Sequence, residues 1–228
     1  MTTETDTDLP ARIEADVEAG RADLSSVRDA AAVCRACDLW VHATQTVFGE
    51  GPVPARWMLV GEQPGDREDV DGSPFVGPAG GILDEALVQA GIDRETTFVT
   101  NVVKHFKWRP SPKGKRRLHE RPNRAEVRAC LPWVESELAL VRPEVLVLMG
   151  ATAAEAMLGP DVRVTRDHGR PIESDLAPLV LVTIHPSAIL RSTDRPAREK
   201  AMAGLVADLR VAAAAGTADP ASRRRRTR

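Results

Sequence analysis

Trp57-Met58-Leu59-Val60 runs straight into Gly61-Glu62-Gln63-Pro64-Gly65-Asp66. Four consecutive apolar residues with no polar alternation read as a strand covered on both faces, and the glycines and proline that follow end it. The pattern recurs at Thr97–Thr100, Val145–Met149 and Val180–Ile184. Between these runs apolar residues fall at helical spacing. Gly80–Ala90 stops at Gly91, Asn123–Val141 opens on a capping asparagine, 151–158 ends at Gly159-Pro160, and Pro196–Ala215 is alanine-rich. Strands alternating with helices predict an α/β fold: a three-layer sandwich with a central four-stranded, mainly parallel sheet flanked by helices. Ligands bind such sheets outside the carboxyl ends of the strands. That edge carries Glu62 and Gln63 after the first strand, Asn101 after the second, Gly150 after the third and His185-Pro186-Ser187 after the fourth.

A chain of 228 residues, 43% hydrophobic and 28% charged, suffices for one large domain. No apolar run exceeds about six residues, far short of the roughly 20 a membrane helix needs, so no membrane attachment is expected. The acidic opening MTTETDTDLP has no apolar core and does not read as a secretory signal. Three cysteines make no disulfide framework and suit the cytoplasm. The net charge of −2 conceals an asymmetry: residues 1–33 sum to −5, residues 104–128 to +8 and residues 222–228 to +5. Positive charge gathered into one segment and one tail suits a local contact with a polyanion. Composition predicts disorder for residues 1–10 and 216–228, leaving 11–215 as one domain.

Cys34-Arg35-Ala36-Cys37 is either a pair of incidental thiols or, with Cys130 and His105, a three-sulfur and one-imidazole set suited to zinc or an iron–sulfur cluster, which spacing alone does not separate. The loop from Gly61 to Gly80 is rich in glycine and proline, ends in no phosphate-loop lysine, and carries Phe75, a possible platform for a nucleic-acid base or a core residue. Lys113, Lys115, Arg116 and Arg117, close to His119, form a basic stretch that either faces solvent or binds phosphates.

Taken in order, Cys34/Cys37, Gly61–Asp66, Pro74–Gly80, Thr100–Lys104, Cys130 and His185-Pro186-Ser187 resemble the uracil-DNA glycosylase superfamily over about residues 30–212, and within it the iron–sulfur family 4. Family 4 members typically carry alanine where Gln63 stands and cysteine where His105 stands. Those departures, with Lys115-Arg116-Arg117-Leu118-His119 in place of a KRRIH motif, resemble the UdgX type. The resemblance implies excision of uracil from DNA, single-stranded by preference, followed by covalent attachment of the protein to C1′ of the sugar. It implies His119 as nucleophile, Glu62 and Gln63 beside the reacting sugar, and His185 stabilising the departing uracil. Asn101 would read the uracil edge, Phe75 would stack on it, and Gly61, Asp66 and Ser187 would complete the pocket. Lys113, Lys115, Arg116 and Arg117 would hold flanking phosphates. A 4Fe–4S cluster would sit on Cys34, Cys37, His105 and Cys130. The expectation is a monomeric cytoplasmic enzyme, associated with the nucleoid when bound to DNA. An ordinary multiple-turnover family 4 enzyme, or a non-catalytic uracil-DNA or single-strand binding protein, is the alternative.

Overall fold

The computed structural model describes residues 6–112, 114 and 116–216. In chain order the elements are helices α1 (Leu9–Glu18) and α2 (Leu24–Ala32), strand β1 (Trp57–Gly61), α3 (Asp66–Asp71), α4 (Pro78–Ala90), β2 (Thr97–Asn101), β3 (Trp108–Pro110), β4 (Arg117–His119), α5 (Arg124–Val141), β5 (Val145–Met149), α6 (Ala151–Leu158), α7 (Val164–Asp167), β6 (Pro171–Ile172), β7 (Leu179–Thr183), α8 (Pro186–Leu190) and α9 (Arg195–Gly216). The main sheet has the order β2-β1-β5-β7-β6. Its first four strands are mutually parallel, and all twenty of their residues are buried. That is the expected α/β sandwich with one correction: the sheet has five strands. The fifth, β6, is a two-residue antiparallel edge against β7, too short to leave a periodic signal.

The two faces of the sheet are covered separately. Met58, Val60, Phe98, Leu146, Leu148, Val180 and Val182 pack with residues of α1, α2, α5 and α6. Their alternating neighbours Trp57, Leu59, Val99, Val145, Val147, Leu179 and Leu181 pack with α4 and α9. Burying each such side chain contributes about 1.5–3 kcal/mol, so both helical layers stabilise the sheet between them. Local chemistry sets the helix ends. Asn123 caps α5: its side chain accepts from the Glu126 N–H at 2.9 Å, and the Glu126 carboxylate accepts from the Asn123 N–H at 2.7 Å. Gly91 ends α4 at φ +72°, where a side chain would be strained.

Two further differences from expectation matter. Helix α1 begins at Leu9, within the stretch expected to be disordered; Ile13 packs half-buried on the core and Val17 is buried. The basic stretch is no simple loop: β3 and β4 form an antiparallel hairpin, separate from the main sheet, that pairs Trp108 with His119. The arginine-rich tail over 217–228 and the two lysines Lys113 and Lys115 lie outside the described residues.

Candidate active site

Register brings the first group of side chains together. Gly61 and Asn101 are partners at the ends of β1 and β2, and the strands stay bonded beyond them through Val102 N–H to Gly61 O at 3.0 Å. A Cβ on Gly61 would lie 2.4 Å from Asn101 Oδ1, 2.8 Å from Phe75 Cζ and 3.2 Å from His185 Nε2. Asn101, Phe75 and His185 therefore converge on one bare backbone position. Asn101 is 3% exposed, and its Oδ1 is a buried acceptor without a hydrogen-bond partner among the described residues. Such an atom costs about 1–3 kcal/mol until a donor reaches it, which marks the place of a ligand N–H.

Phe75 is held by strain and clamps. Its φ is +58°, in the left-handed region that a bulky residue seldom adopts. Its carbonyl rests against Gly80, where a Cβ would come within 1.7 Å of it. The buried Glu68 carboxylate accepts N–H groups from both sides of the loop, Gly65 at 3.1 Å and Gly77 at 3.0 Å. The Phe75 ring stands 6.1 Å from the His185 ring.

His185 precedes α8, and its Nδ1 accepts the Ser187 N–H at 3.2 Å with Ser187 Oγ at 2.8 Å. Arg191 in turn donates to Ser187 Oγ at 2.9 Å. With Nδ1 accepting, a neutral ring carries its proton on Nε2, the atom facing Gly61. Burial first, then the positive charges of Arg191 and His119, push the His185 pKa down to about 4, so the ring is an uncharged donor at neutral pH.

A cavity of about 460 Å³ adjoins this group, lined by Glu62, Gln63, His119, Thr152, His185 and Arg191 among others. The Gln63 amide is fixed by the turn around Lys107: Oε1 accepts the Lys107 N–H at 3.0 Å, and Nε2 donates to Glu120 O at 3.0 Å and Lys107 O at 3.2 Å. The same Nε2 lies 2.9 Å from His119 Nε2. Glu62 Oε1 stands 3.6 Å from the same His119 nitrogen. Carboxylate and amide thus meet the same ring nitrogen. Glu62 is oriented by the Thr152 hydroxyl, which donates to its Oε2, and Arg121 Nε lies 3.9 Å away. Burial lowers the His119 pKa, Glu62 opposes the shift, and Arg191 adds to it. The half-exposed imidazole is thereby biased toward its neutral, nucleophilic form.

Arg117 lies 5.4 and 5.5 Å from the centroids of the Phe106 and Trp108 rings and ion-pairs with Asp66 and Asp69 at 2.5 Å each. It thereby ties β4 to α3, and both Arg117 and Asp66 line a cavity beside His119. Arg116 remains exposed at the rim of this second cavity, on the far side of His119. Asp69, Thr152 and Arg191 were not singled out in the sequence. Asp69 is fully buried and also accepts from the Thr44 backbone and hydroxyl.

The cysteines lie on the other side of Asn101. Cys130 Sγ accepts the Lys104 N–H at 3.2 Å, and Cys34 Sγ accepts the Trp133 indole N–H at 3.4 Å. Burial pushes the Cys130 thiol up to about 12; Lys104 opposes this, while Cys37 and Cys34 add to it. Burial likewise raises Cys37. Two buried sulfurs with N–H donors and a third close by match the donor chemistry of a sulfur-ligated group. His105 Nε2 is instead 3.0 Å from Thr46 Oγ1, and among the described residues no three His, Cys, Asp or Glu side chains converge as a metal-holding set.

The family model described as the uracil DNA glycosylase superfamily matches residues 48–210. The type-4 uracil-DNA glycosylase of Thermotoga maritima is 37% identical over 166 residues, covering 72% of this chain and 82% of that protein. Its namesake from Pyrobaculum aerophilum is 35% identical over 176 residues, covering 74% and 85%. That of Sulfurisphaera tokodaii is 32% identical over 177 residues, covering 73% and 76%.

Proposed function

The chain belongs to the uracil DNA glycosylase superfamily, and from that premise we propose that it excises uracil from DNA and is then captured on the sugar through His119, as a UdgX-type member. The observation that carries the second half is the place of His119, whose Nε2 lies 2.9 Å from the Gln63 amide and 3.6 Å from the Glu62 carboxylate in the cavity it shares with Glu62 and His185, with burial lowering its pKa. Uracil stacks on Phe75 over the bare Gly61. Its N3–H meets the orphaned Asn101 Oδ1, and an Asn101 N–H meets O4. Cytosine reverses both groups, leaving two buried mismatches at about 1–3 kcal/mol each. As the C1′–N1 bond breaks, its electron pair leaves with uracil. The His185 Nε2–H donates to the oxygen where that charge gathers, and the Glu62 carboxylate stabilises the sugar cation. His119 Nε2 then forms a bond to C1′, and the imidazolium loses its Nδ1 proton to solvent. The N-alkylated imidazole is a poor leaving group, so turnover stops.

We further assign a structural 4Fe–4S cluster to Cys34, Cys37, His105 and Cys130, supported by the buried thiols and their N–H donors; the cluster would supply a cross-link between the segment after α2 and helix α5. The 11–215 single domain, a preference for single-stranded DNA, a monomeric state and work at the nucleoid in the cytoplasm complete the proposal. Among the described residues no helix is long and apolar enough to cross a membrane.

The test is a denaturing gel of protein incubated with a uracil oligonucleotide, followed by mass spectrometry of the attached peptide. A boiling-resistant conjugate mapped to His119, lost in His119→Ser with release of an abasic site, is expected. Catalytic release of abasic product by the unaltered protein, without conjugate, would instead make it an ordinary family 4 enzyme, the reading favoured by the relatives' names. Brown colour with iron and acid-labile sulfide is expected of the purified protein; a colourless zinc protein would overturn the cluster.

A further inference from the structure

A second groove of about 540 Å³ opens beside the catalytic cavity, and the two share Arg121 and Thr152 as a common wall. Its far rim is the first two turns of α5, where Arg124 and Arg128 stand one helical turn apart on one face. Its floor is apolar, formed by Val127, Leu131 and Ala156. The Arg121 side chain is 60% exposed and that of Arg124 is 89% exposed. Among the described residues Glu155 is the one acid lining the groove, 3.2 Å from Arg124 and 3.9 Å from Arg121. Arg128 is exposed and has no ion pair among the described residues. The cavity on the opposite side of His119 differs. Its Arg67 is paired with Asp71 and its Arg117 with Asp66 and Asp69, so Arg116 alone of its arginines has no ion pair among the described residues.

A cationic rim over an apolar floor is the chemistry that holds a single nucleic-acid strand, with phosphates on the rim and sugar and base faces on the floor. We propose that this groove is the track for the DNA strand on one side of the flipped nucleotide, with Arg124 and Arg128 each neutralising one phosphate. Arg121 sits at the junction between track and reaction cavity. The inference rests on the reading of the protein as a DNA glycosylase, and deepens it by naming where the flanking strand runs.

The experiment measures binding of uracil-free single-stranded oligonucleotides across salt concentrations, so it does not depend on excision. Each phosphate contact to a single strand contributes a slope of about −0.7 in log affinity against log salt. Arg124→Ala/Arg128→Ala should therefore flatten the slope by about 1.4, so that the variant loses about sevenfold less affinity than the unaltered protein between 50 and 200 mM salt. Arg124→Lys/Arg128→Lys should keep the original slope. Oligonucleotides carrying a central 2′-fluorinated deoxyuridine, whose glycosidic bond resists cleavage, and lengthened on one side only should bind more tightly on one side than the other, and the alanine pair should erase that gain. An unchanged slope in the alanine pair, an equal loss in the lysine pair, or equal gain from both sides would overturn the track. An unaltered protein that binds with a steep slope but never excises uracil would overturn the function and leave the track standing.

Discussion

Lys104→Met isolates the cost of one charge behind Asn101. The Lys104 ammonium is 1% exposed and spends all three hydrogens: on Glu137 Oε2 at 2.7 Å, Thr100 Oγ1 at 2.7 Å and the Asn101 carbonyl at 2.8 Å. Glu137, fully buried, also accepts the Gly49 N–H at 2.9 Å and the Thr100 hydroxyl at 2.7 Å. Methionine fills the stem but leaves a buried carboxylate with two neutral donors and no cation. Breaking a buried pair from one side costs about 3–5 kcal/mol. For a domain of this size that corresponds to a fall of roughly 6–20 °C in Tm. Adding Glu137→Gln removes the stranded charge while keeping an acceptor for Gly49; the remaining loss is the orphaned Asn101 carbonyl, about 1–3 kcal/mol. The double variant should therefore recover about 2 kcal/mol relative to the single. Urea unfolding followed by far-ultraviolet circular dichroism measures both. A single variant within about 1 kcal/mol of the parent, or a double variant less stable than the single, would refute the claim that the ion pair stands or falls as a unit.

Gly61→Ala should fold normally but lose about 100-fold in uracil excision, because the new Cβ intrudes on Asn101 and Phe75 and displaces the base by a fraction of an ångström; circular dichroism and single-turnover excision separate the two effects. Formation of the proposed conjugate requires neutral His119, whose pKa burial lowers below the ordinary value. Its rate should thus stay level as pH falls through 6.5 and decline only at lower pH, and a midpoint at or above 6.5 in a quenched time course would contradict that. Arg117→Ala leaves buried Asp69 without its cation and unties β4 from α3; conjugate yield on a denaturing gel should fall more than total uracil release, and an equal fall in both would assign Arg117 a different role.

The four parallel strands were legible because burial on both faces leaves an unbroken apolar run, and their edges pointed directly at Gly61, Asn101 and His185. The hairpin was not: Trp108-Arg109-Pro110 and Arg117-Leu118-His119 lack both apolar alternation and length, so the stretch read as charge alone. Helix α1 did carry a readable signal, with Leu9, Ile13 and Val17 spaced four apart, as did α2 in the Asp23–Ser26 capping box. What no local pattern could supply were pairings across long separations. Thr152 orients a carboxylate 90 residues away, and Arg117 pairs with Asp69, 48 residues back. A run of basic residues does not say which of its members is consumed by distant acids.

Among the described residues the hairpin that presents His119 forms a sheet of its own and pairs with no strand of the five-stranded one. Gly61, Asn101 and His185, by contrast, sit at the ends of the main strands. A lineage, or a designer, could therefore vary the hairpin while the frame beneath kept its register. In the proposed division of labour the base is released by the frame and the sugar is claimed by the appendage. Self-inactivation would then be a trait of the appendage, separable from the frame only in an exchange that also answers buried Asp69 and Gln63, which the hairpin now satisfies.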